Sequence, residues 1–363
     1  MQHAAGNKLR IAQIAPLWTP IPPTTYGGIE LLLALLCDEL VARGHDVTLF
    51  ASGDCRTRAK LRSVIPANLS ALMARGDALM HEYYLNAAMA DALAAQDEFD
   101  VLHFHLSPTL LPLAAAARKP CIFTYHTSPH ADDEWALRRY PQVPVATISR
   151  AQFAQTSARL GREFRVIYNG VDFSAYAPSF EPGKYLAFLG RMSPQKNPLG
   201  AILIAKAAGL PIVLAGKPQN AEEEHYFAEK VQPHIDGERV RWIGPANHAQ
   251  KTELLRHAAA LVFPIAWDEP FGLVMIEAMA CGCPVLGLRR GSVGEVVDEG
   301  ITGFTAATPG DLAALVPVVL ALDRTKVRTY AESRFSHIKM VDDYLALYRK
   351  SFQERLERPD ANS

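Results

Sequence analysis

Short apolar runs of strand character alternate with helical stretches along almost the whole chain, and this alternation constrains the fold most. LRIAQIAP reads as a strand, GGIELLLALLCDELVARG as a helix and HDVTLFAS as a second strand, with DVLHFH, CIFTYH, VATIS and FRVIYNG to follow. Strands separated by helices build parallel sheets covered on both faces. The pattern stops at VDFSAYAPSFEPGK, where Asp172, Pro178, Pro182 and two serines mark a linker. It restarts with YLAFLG, PIVLAG, VRWIG, ALVFP and PVLGL. The expected fold class is α/β, with two doubly wound domains over 1–173 and 183–337, joined near Ser174–Gly183. A last helix is expected over 338–355, with Tyr344, Leu345, Leu347 and Tyr348 on a mainly apolar stripe. The tail ERLERPDANS is expected to fray.

A chain of 363 residues suits two domains, and 49% apolar residues let each bury a core. A formal net charge of −1 speaks against bulk nucleic-acid binding. No apolar run approaches the roughly 18 residues of a membrane span. The start, MQHAAGNKLR, has no apolar signal region. The five cysteines are an odd count in a long chain, which fits reduced thiols and a cytoplasmic location. Cys281 and Cys283 could form half a metal site, but no second pair supplies the other ligands at a recognisable spacing.

In doubly wound sheets, ligands bind outside the carboxyl ends of the strands. Three motifs follow strands. In APLWTPIPPTTYGGIE, Pro22 and Pro23 stiffen a long loop, and Gly27 and Gly28 open the next helix, where backbone N–H groups can approach an anion or a sugar. In LGRMSPQKNP, Arg191 and Lys196 bracket a turn on Pro194 and would offer a diphosphate a fork donor and a point charge. Solvated surface cations are the plainer alternative for that pair alone.

The third is DEPFGLVMIEAMACGCP, with seven residues between Glu269 and Glu277. Pro270 suits a helix entrance, and the helix is expected to start near Phe271 or Gly272. The N–H groups of Gly272, Leu273 and Val274 would then carry the positive end of the dipole, while Leu273, Ile276 and Ala280 bury. Glu277 lies about five residues in, roughly 7–8 Å along the axis. One acid thus flanks each side of an anion site. Carboxylates repel phosphate, so each acid is expected to accept from hydroxyls beside it. Hydroxyls on both sides of a diphosphate describe a nucleotide sugar.

DEPFGLVMIEAMACGCPV, with GRMSPQKN, DEGITGF, PPTTYGGIE, DVLHFH, YNGVD and RFSHIKMVDDYLALYRK, resembles the retaining glycosyltransferases of family 4 over nearly the whole chain. The resemblance implies the GT-B fold, two Rossmann-like domains facing across a cleft. The first would bind the acceptor and the second the donor, with the last helix packing back on the first. It implies a retaining hexosyltransferase (EC 2.4 class) with no cofactor. Arg191 and Lys196 would neutralise the diphosphate, Glu269 contact sugar hydroxyls, Phe271, Gly272 and Leu273 supply backbone contacts, and Glu277 hold the ribose. Gly27 and Gly28 would approach the phosphates or acceptor, and His126 the reacting sugar.

His103 and His105 share a strand face and could mimic a metal pair; for His103 a strand histidine meeting backbone or a partner acid is the plainer reading, while His105 divides evenly between that and the cleft histidine that the resemblance implies. No Asp-x-Asp motif is present to hold a divalent ion, so no metal is expected. The basic run Arg56–Arg62 could touch anionic lipid or simply be solvated. The base stays open among UDP, GDP and ADP, with UDP-glucose the default. The acceptor is a saccharide, a small molecule or a lipid-linked sugar. Alternatives are a GT-B nucleotide-sugar epimerase and an inactive sugar-nucleotide-binding partner subunit.

Overall fold

The computed structural model describes residues 8–24 and 27–357, the side chains of 355 and 356 apart. Thr25 and Tyr26 of the first loop, the start of the chain and the tail from residue 358 lie outside the described residues. The chain forms two compact units: its described residues up to 148, with 153–168 and those from 337, and a second from 149–152 and 169–336.

The first unit holds β1 (Arg10–Ile14), β2 (Asp46–Ser52), β3 (Lys60–Ile65), β4 (Val101–Phe104), β5 (Cys121–Tyr125), β6 (Val145–Thr147) and β7 (Arg165–Val166). They pair in parallel in the order β3-β2-β1-β4-β5-β6-β7. The second unit holds β8 (Tyr185–Leu189), β9 (Ile212–Ala215), β10 (Val240–Trp242), β11 (Ala258–Phe263), β12 (Val285–Leu288) and β13 (Gly303–Ala306). Their order, again parallel, is β10-β9-β8-β11-β12-β13. In both sheets the order reverses beside the first strand, between β1 and β4 and between β8 and β11. A crevice opens at such a reversal because the two flanking connections leave to opposite faces.

The inner strands of the second sheet, YLAFL, AAALVF and VLGL, read as nearly continuous apolar runs because helices cover both faces. Leu186, Phe188, Ala260, Val262 and Leu286 form one side of the second core, packed on Ile202, Ile204 and Ala205 of the helix Pro198–Ala207. The basic run is a finding of another kind: Lys60–Ile65 is an edge strand. Lys60 pairs with Asp46 at 2.7 Å and Arg62 pairs with Glu98, so the charges blunt the open edge and are already partnered.

The C-terminal helix, His337–Glu357, buries Met340, Val341, Tyr344, Leu345 and Tyr348 in the first unit, against the helix Gly28–Ala42 and β4. Arg43 fixes its outer face through Asp342 at 2.5 Å. The stretch composed like a linker is packed: Phe173 and Tyr176 are buried in the second unit, where Arg328 donates to the Phe173 and Tyr176 carbonyls at 2.7 and 3.0 Å. Among the described residues no helix is long and apolar enough to cross a membrane.

Candidate active site

Two loops flank the reversal point of the second sheet, 190–197 after β8 and 264–272 after β11. They are bonded to one another. Asn197 Nδ2 donates to the Pro264 carbonyl at 3.0 Å, and the Ala266 amide to that of Gln195 at 2.8 Å. Asn197 takes a left-handed turn (φ 57°), which its short amide tolerates while it caps the next helix through Gly200 N at 2.9 Å.

The helix of the acid motif runs Leu273–Ala280, starting one residue after Gly272 and two after Phe271, the starts expected from the sequence, because Gly272 turns left-handed at φ 81°. A Cβ there would lie 2.7 Å from Met275 Cε and 3.2 Å from the Phe263 ring, so only glycine serves. No side chain caps the helix. The buried face also differs from expectation. From Met275 to Ala280 every residue is buried, while Leu273 is half-exposed, since the helix lies under neighbours on all sides.

The two acids are built alike. Glu269 Oε2 accepts from Lys196 Nζ at 2.5 Å and from Trp267 Nε1 at 2.9 Å. Glu277 Oε1 accepts from Tyr176 OH at 3.0 Å and from Lys251 Nζ. Each lysine also sits by the ring of the aromatic donor, Lys196 5.3 Å from Trp267 and Lys251 5.7 Å from Tyr176. Both carboxylates are buried, at 8% and 7% exposure, and a charge so placed needs a partner. Each acid therefore commits one oxygen. The other, Oε1 of Glu269 and Oε2 of Glu277, makes no hydrogen bond with a described residue. An ionised carboxylate only accepts, so each site retains an open acceptor for a hydroxyl. Burial, then the charge of Glu277, pushes the Tyr176 phenol far above its ordinary range and keeps it a donor.

Arg191 and Lys196 stand where the sequence put them, after β8, but neither is a solitary cation. Arg191 donates to Glu223 at 2.7 Å and to Gln195 at 3.3 Å, while the other oxygen of Glu223 accepts from Gln219 N at 2.8 Å. This ties the loops after β8 and β9. They approach closely: a Cβ on Gly216 (φ 136°) would fall 1.8 Å from the Gly190 carbonyl oxygen. A turn after β12 seats the acid motif from another side. Ser292 donates to the carbonyls of Glu269 and Phe271 at 2.9 and 2.8 Å, and Gly291 N to Asp268 at 3.2 Å. Sequence reasoning missed Tyr176, Lys251, Trp267, Glu223 and Ser292. Only Trp267 and Ser292 carried a signal, since both follow strands.

In the first unit the loop after β1 is bonded to those after β2 and β3: Arg56 N donates to Ile21 O at 2.6 Å, Leu69 N to Leu17 O at 2.8 Å. Together Thr19–Thr24, Asp54, Arg56, Asn68 and Ser70 line an open pocket of about 640 Å³. Gly27 precedes the helix Gly28–Ala42, and a Cβ there would lie 2.8 Å from Pro23 Cβ and 2.9 Å from Glu30 Oε2. Burial raises the Glu30 carboxyl above its ordinary range, against its own backbone N–H and Thr19.

His103, in β4, and His105 and His126, just past β4 and β5, form one cluster. His105 Nδ1 lies 2.9 Å from His126 Nε2, and His105 Nε2 lies 3.1 Å from His103 Nδ1. Their further partners are Gln13, Thr124 and Tyr348. Every partner is neutral. Burial, and next the neighbouring rings, hold His103 and His105 well below 6.5, while burial takes His126 down to about 4. Among the described residues no three His, Cys, Asp or Glu side chains are grouped to hold a metal. Cys281 and Cys283 are buried thiols pushed up to about 12 by burial.

The cluster sets a pH dependence. Its pKa values are depressed, so between the ordinary 6.5 and about 4 the unfolded chain binds protons that the folded rings refuse. Its stability is full above 6.5 and declines as pH falls through that window. The melting temperature should drop on going from pH 7 to 5, and less steeply in His105→Asn. Equal slopes in both proteins would contradict this.

Parallel, doubly wound units in this order are those of the GT-B glycosyltransferases, and comparison with known proteins agrees. Residues 26–175 match Glycosyltransferase Family 4, and 174–334 match Glycosyl transferases group 1. The chain belongs to this family. It is 25% identical to a glycogen synthase of Mycobacterium tuberculosis, with 89% of each chain covered. It is 26% identical to a D-inositol 3-phosphate glycosyltransferase of Mycobacterium bovis, covering 97% of this chain and 85% of that one. Among solved structures, AviGT4, a glycosyltransferase involved in avilamycin A biosynthesis, superposes with a TM-score of 0.69 at 26% identity, covering 95% and 98%. Anabaena Alr3699/HepE, solved with UDP and glucose, superposes with a TM-score of 0.68 at 19% identity, covering 94% and 99%.

Proposed function

We propose that this chain is a retaining hexosyltransferase that takes its sugar from a nucleotide diphosphate donor, UDP-glucose by default, without a metal ion. The observation that carries the reading is the open oxygen on each of two lysine-held glutamates, one on either side of an uncapped helix start. Glu277 would take ribose hydroxyls and Glu269 sugar hydroxyls, with the diphosphate at the first turn of Leu273–Ala280. Lys196 has two N–H donors beyond the one that Glu269 accepts, and it and Arg191 would meet the charge that grows on the leaving diphosphate. Gly27 and Gly28 would lie by the phosphates or the acceptor. UDP is the default base because Alr3699/HepE is solved with UDP and with UDP-glucose.

In the step proposed, the bond from the anomeric carbon to the diphosphate oxygen breaks. The acceptor oxygen bonds to that carbon on the same face, and its proton passes to the departing phosphate. His126 would bond a hydroxyl of the reacting sugar or the acceptor. A saccharide acceptor suits the pocket beside Asp54 and Asn68, whose side chains can bond hydroxyls. Incubation with UDP-glucose and a panel of saccharides should give an α-linked product by the anomeric proton coupling, at a rate unchanged by excess EDTA. A β-linked product, or loss of transfer in EDTA restored by Mn²⁺, would refute this.

A further inference from the structure

Behind His126 the hydrogen bonds run in one direction. Gln13 Nε2 donates to Tyr348 OH at 2.9 Å, so the phenol proton goes to His103 Nδ1 at 2.7 Å. Gln13 Oε1 can only accept, so His105 carries its proton on Nε2 and donates at 3.0 Å. That N–H also points at His103 Nδ1 at 3.1 Å, a nitrogen already accepting from Tyr348. At the far end His103 Nε2 donates to Thr124 Oγ1 at 2.7 Å, and the threonine hydroxyl is 3.3 Å from Tyr344 OH. A neutral ring has one N–H, so His105 Nδ1 must accept, and its donor is His126 Nε2 at 2.9 Å. His126 Nδ1 is then bare; it is buried and has no hydrogen-bond partner among the described residues.

We infer that Gln13, His105 and Tyr348 are positioning residues that fix the tautomer of His126, leaving Nδ1 as an acceptor for a substrate hydroxyl. This deepens the transferase reading and rests on it for the identity of that hydroxyl. The C-terminal helix is thereby more than packing. Tyr348 anchors the Gln13 amide, and the amide chooses the direction of the chain. With the amide turned over, each bond would reverse, and His126 would present Nδ1–H, a donor, in place of a lone pair. A hydroxyl that must keep its proton directed at the site, or give it up, meets the wrong partner in that state.

Long-range ¹H–¹⁵N correlation on histidine-labelled, ligand-free protein at pH 7 distinguishes the two tautomers. His126 should show a protonated Nε2 and a bare Nδ1. Tyr348→Phe keeps the ring but removes the hydroxyl, and Gln13→Leu removes the amide. In both, the His126 signals should move toward the Nδ1–H form. Turnover should fall about 3- to 10-fold with little change in donor KM, the worth of one misdirected hydrogen bond. A wild-type His126 protonated on Nδ1 or on both nitrogens would overturn the inference. So would a Tyr348→Phe protein that loses turnover with the tautomer unchanged, for then Tyr348 acts by packing alone. The tautomer is read without substrate. Wiring that responds as described in a protein with no glycosyl transfer would remove the proposed function and leave the chain of bonds standing.

Discussion

Lys196→Ala should cut turnover by about 10²- to 10³-fold, as expected for losing one preorganised donor to a developing anion. It should also destabilise the second unit. Lys196 and Glu269 are paired at 2.5 Å with side-chain exposures of only 16% and 10%. Removing the lysine leaves a carboxylate nearly out of water with Trp267 as its only side-chain donor among the described residues. Breaking a buried pair from one side costs about 3 kcal/mol. The two losses have separate origins, and a second substitution separates them. Lys196→Ala/Glu269→Gln removes the stranded charge, so the melting temperature should recover most of its fall while turnover does not. Lys196→Ala with near wild-type turnover and an intact fold would show that the lysine serves Glu269 only.

That the lysine is held by an acid could not be read from the chain. The sequence carries local information well. Runs such as ALVFP, apolar throughout, and LRIAQIAP, apolar but for Arg10 and Gln13, follow from sheets covered on both faces, so the parallel architecture and the loops after each strand were legible. The eight-residue step from Glu269 to Glu277 is local too, and so was its relation to one helix end. Partners distant in the chain were not. Glu277 meets Lys251 across 26 positions and Tyr176 across 101, and Gln13 meets Tyr348 across 335. Lys251 sits on a polar helix, His248–Arg256, where nothing distinguishes it from its neighbours. Tyr176 lay in a stretch whose prolines marked a linker; those prolines keep it irregular, yet its aromatic residues pack. The strand Lys60–Ile65 was missed because only its end, Val64 and Ile65, packs on the core, while Lys60, Leu61 and Arg62 lie at the open edge, where charge replaces an apolar period. The histidines were legible as strand-end residues, but their joint neutrality depends on burial by a helix more than 200 residues further on, His103 meeting Tyr348 across 245 positions.

Glu277→Gln and Glu269→Gln should separate the two ends of the donor. Each acid commits one oxygen to a lysine and an aromatic donor and keeps the other open, so each loss should remove a charge-assisted bond of roughly 1.5–3 kcal/mol. Glu277 lies four residues into the helix, about 6 Å beyond its start, and Glu269 lies before it. If the diphosphate sits at the first turn, the two open oxygens reach hydroxyls on opposite sides of it. Glu277→Gln should then weaken binding of bare UDP by about 10- to 100-fold in calorimetric titration. Glu269→Gln should leave bare UDP nearly unaffected and show its loss with UDP-glucose and in turnover. Each variant also leaves a lysine without its carboxylate. Lys251 is 18% and Lys196 16% exposed at the side chain, so part of each effect could come from a loosened loop. Glutamine limits this, because its oxygen still accepts from the aromatic donor, and melting curves report what remains. Lys251→Met provides the opposite control. It disturbs the same trio while keeping the charge of Glu277, and should weaken UDP less than Glu277→Gln does. If both glutamine variants fold normally and weaken bare UDP equally, the two acids do not divide the donor, and the symmetry of their trios reflects only how this fold buries a carboxylate.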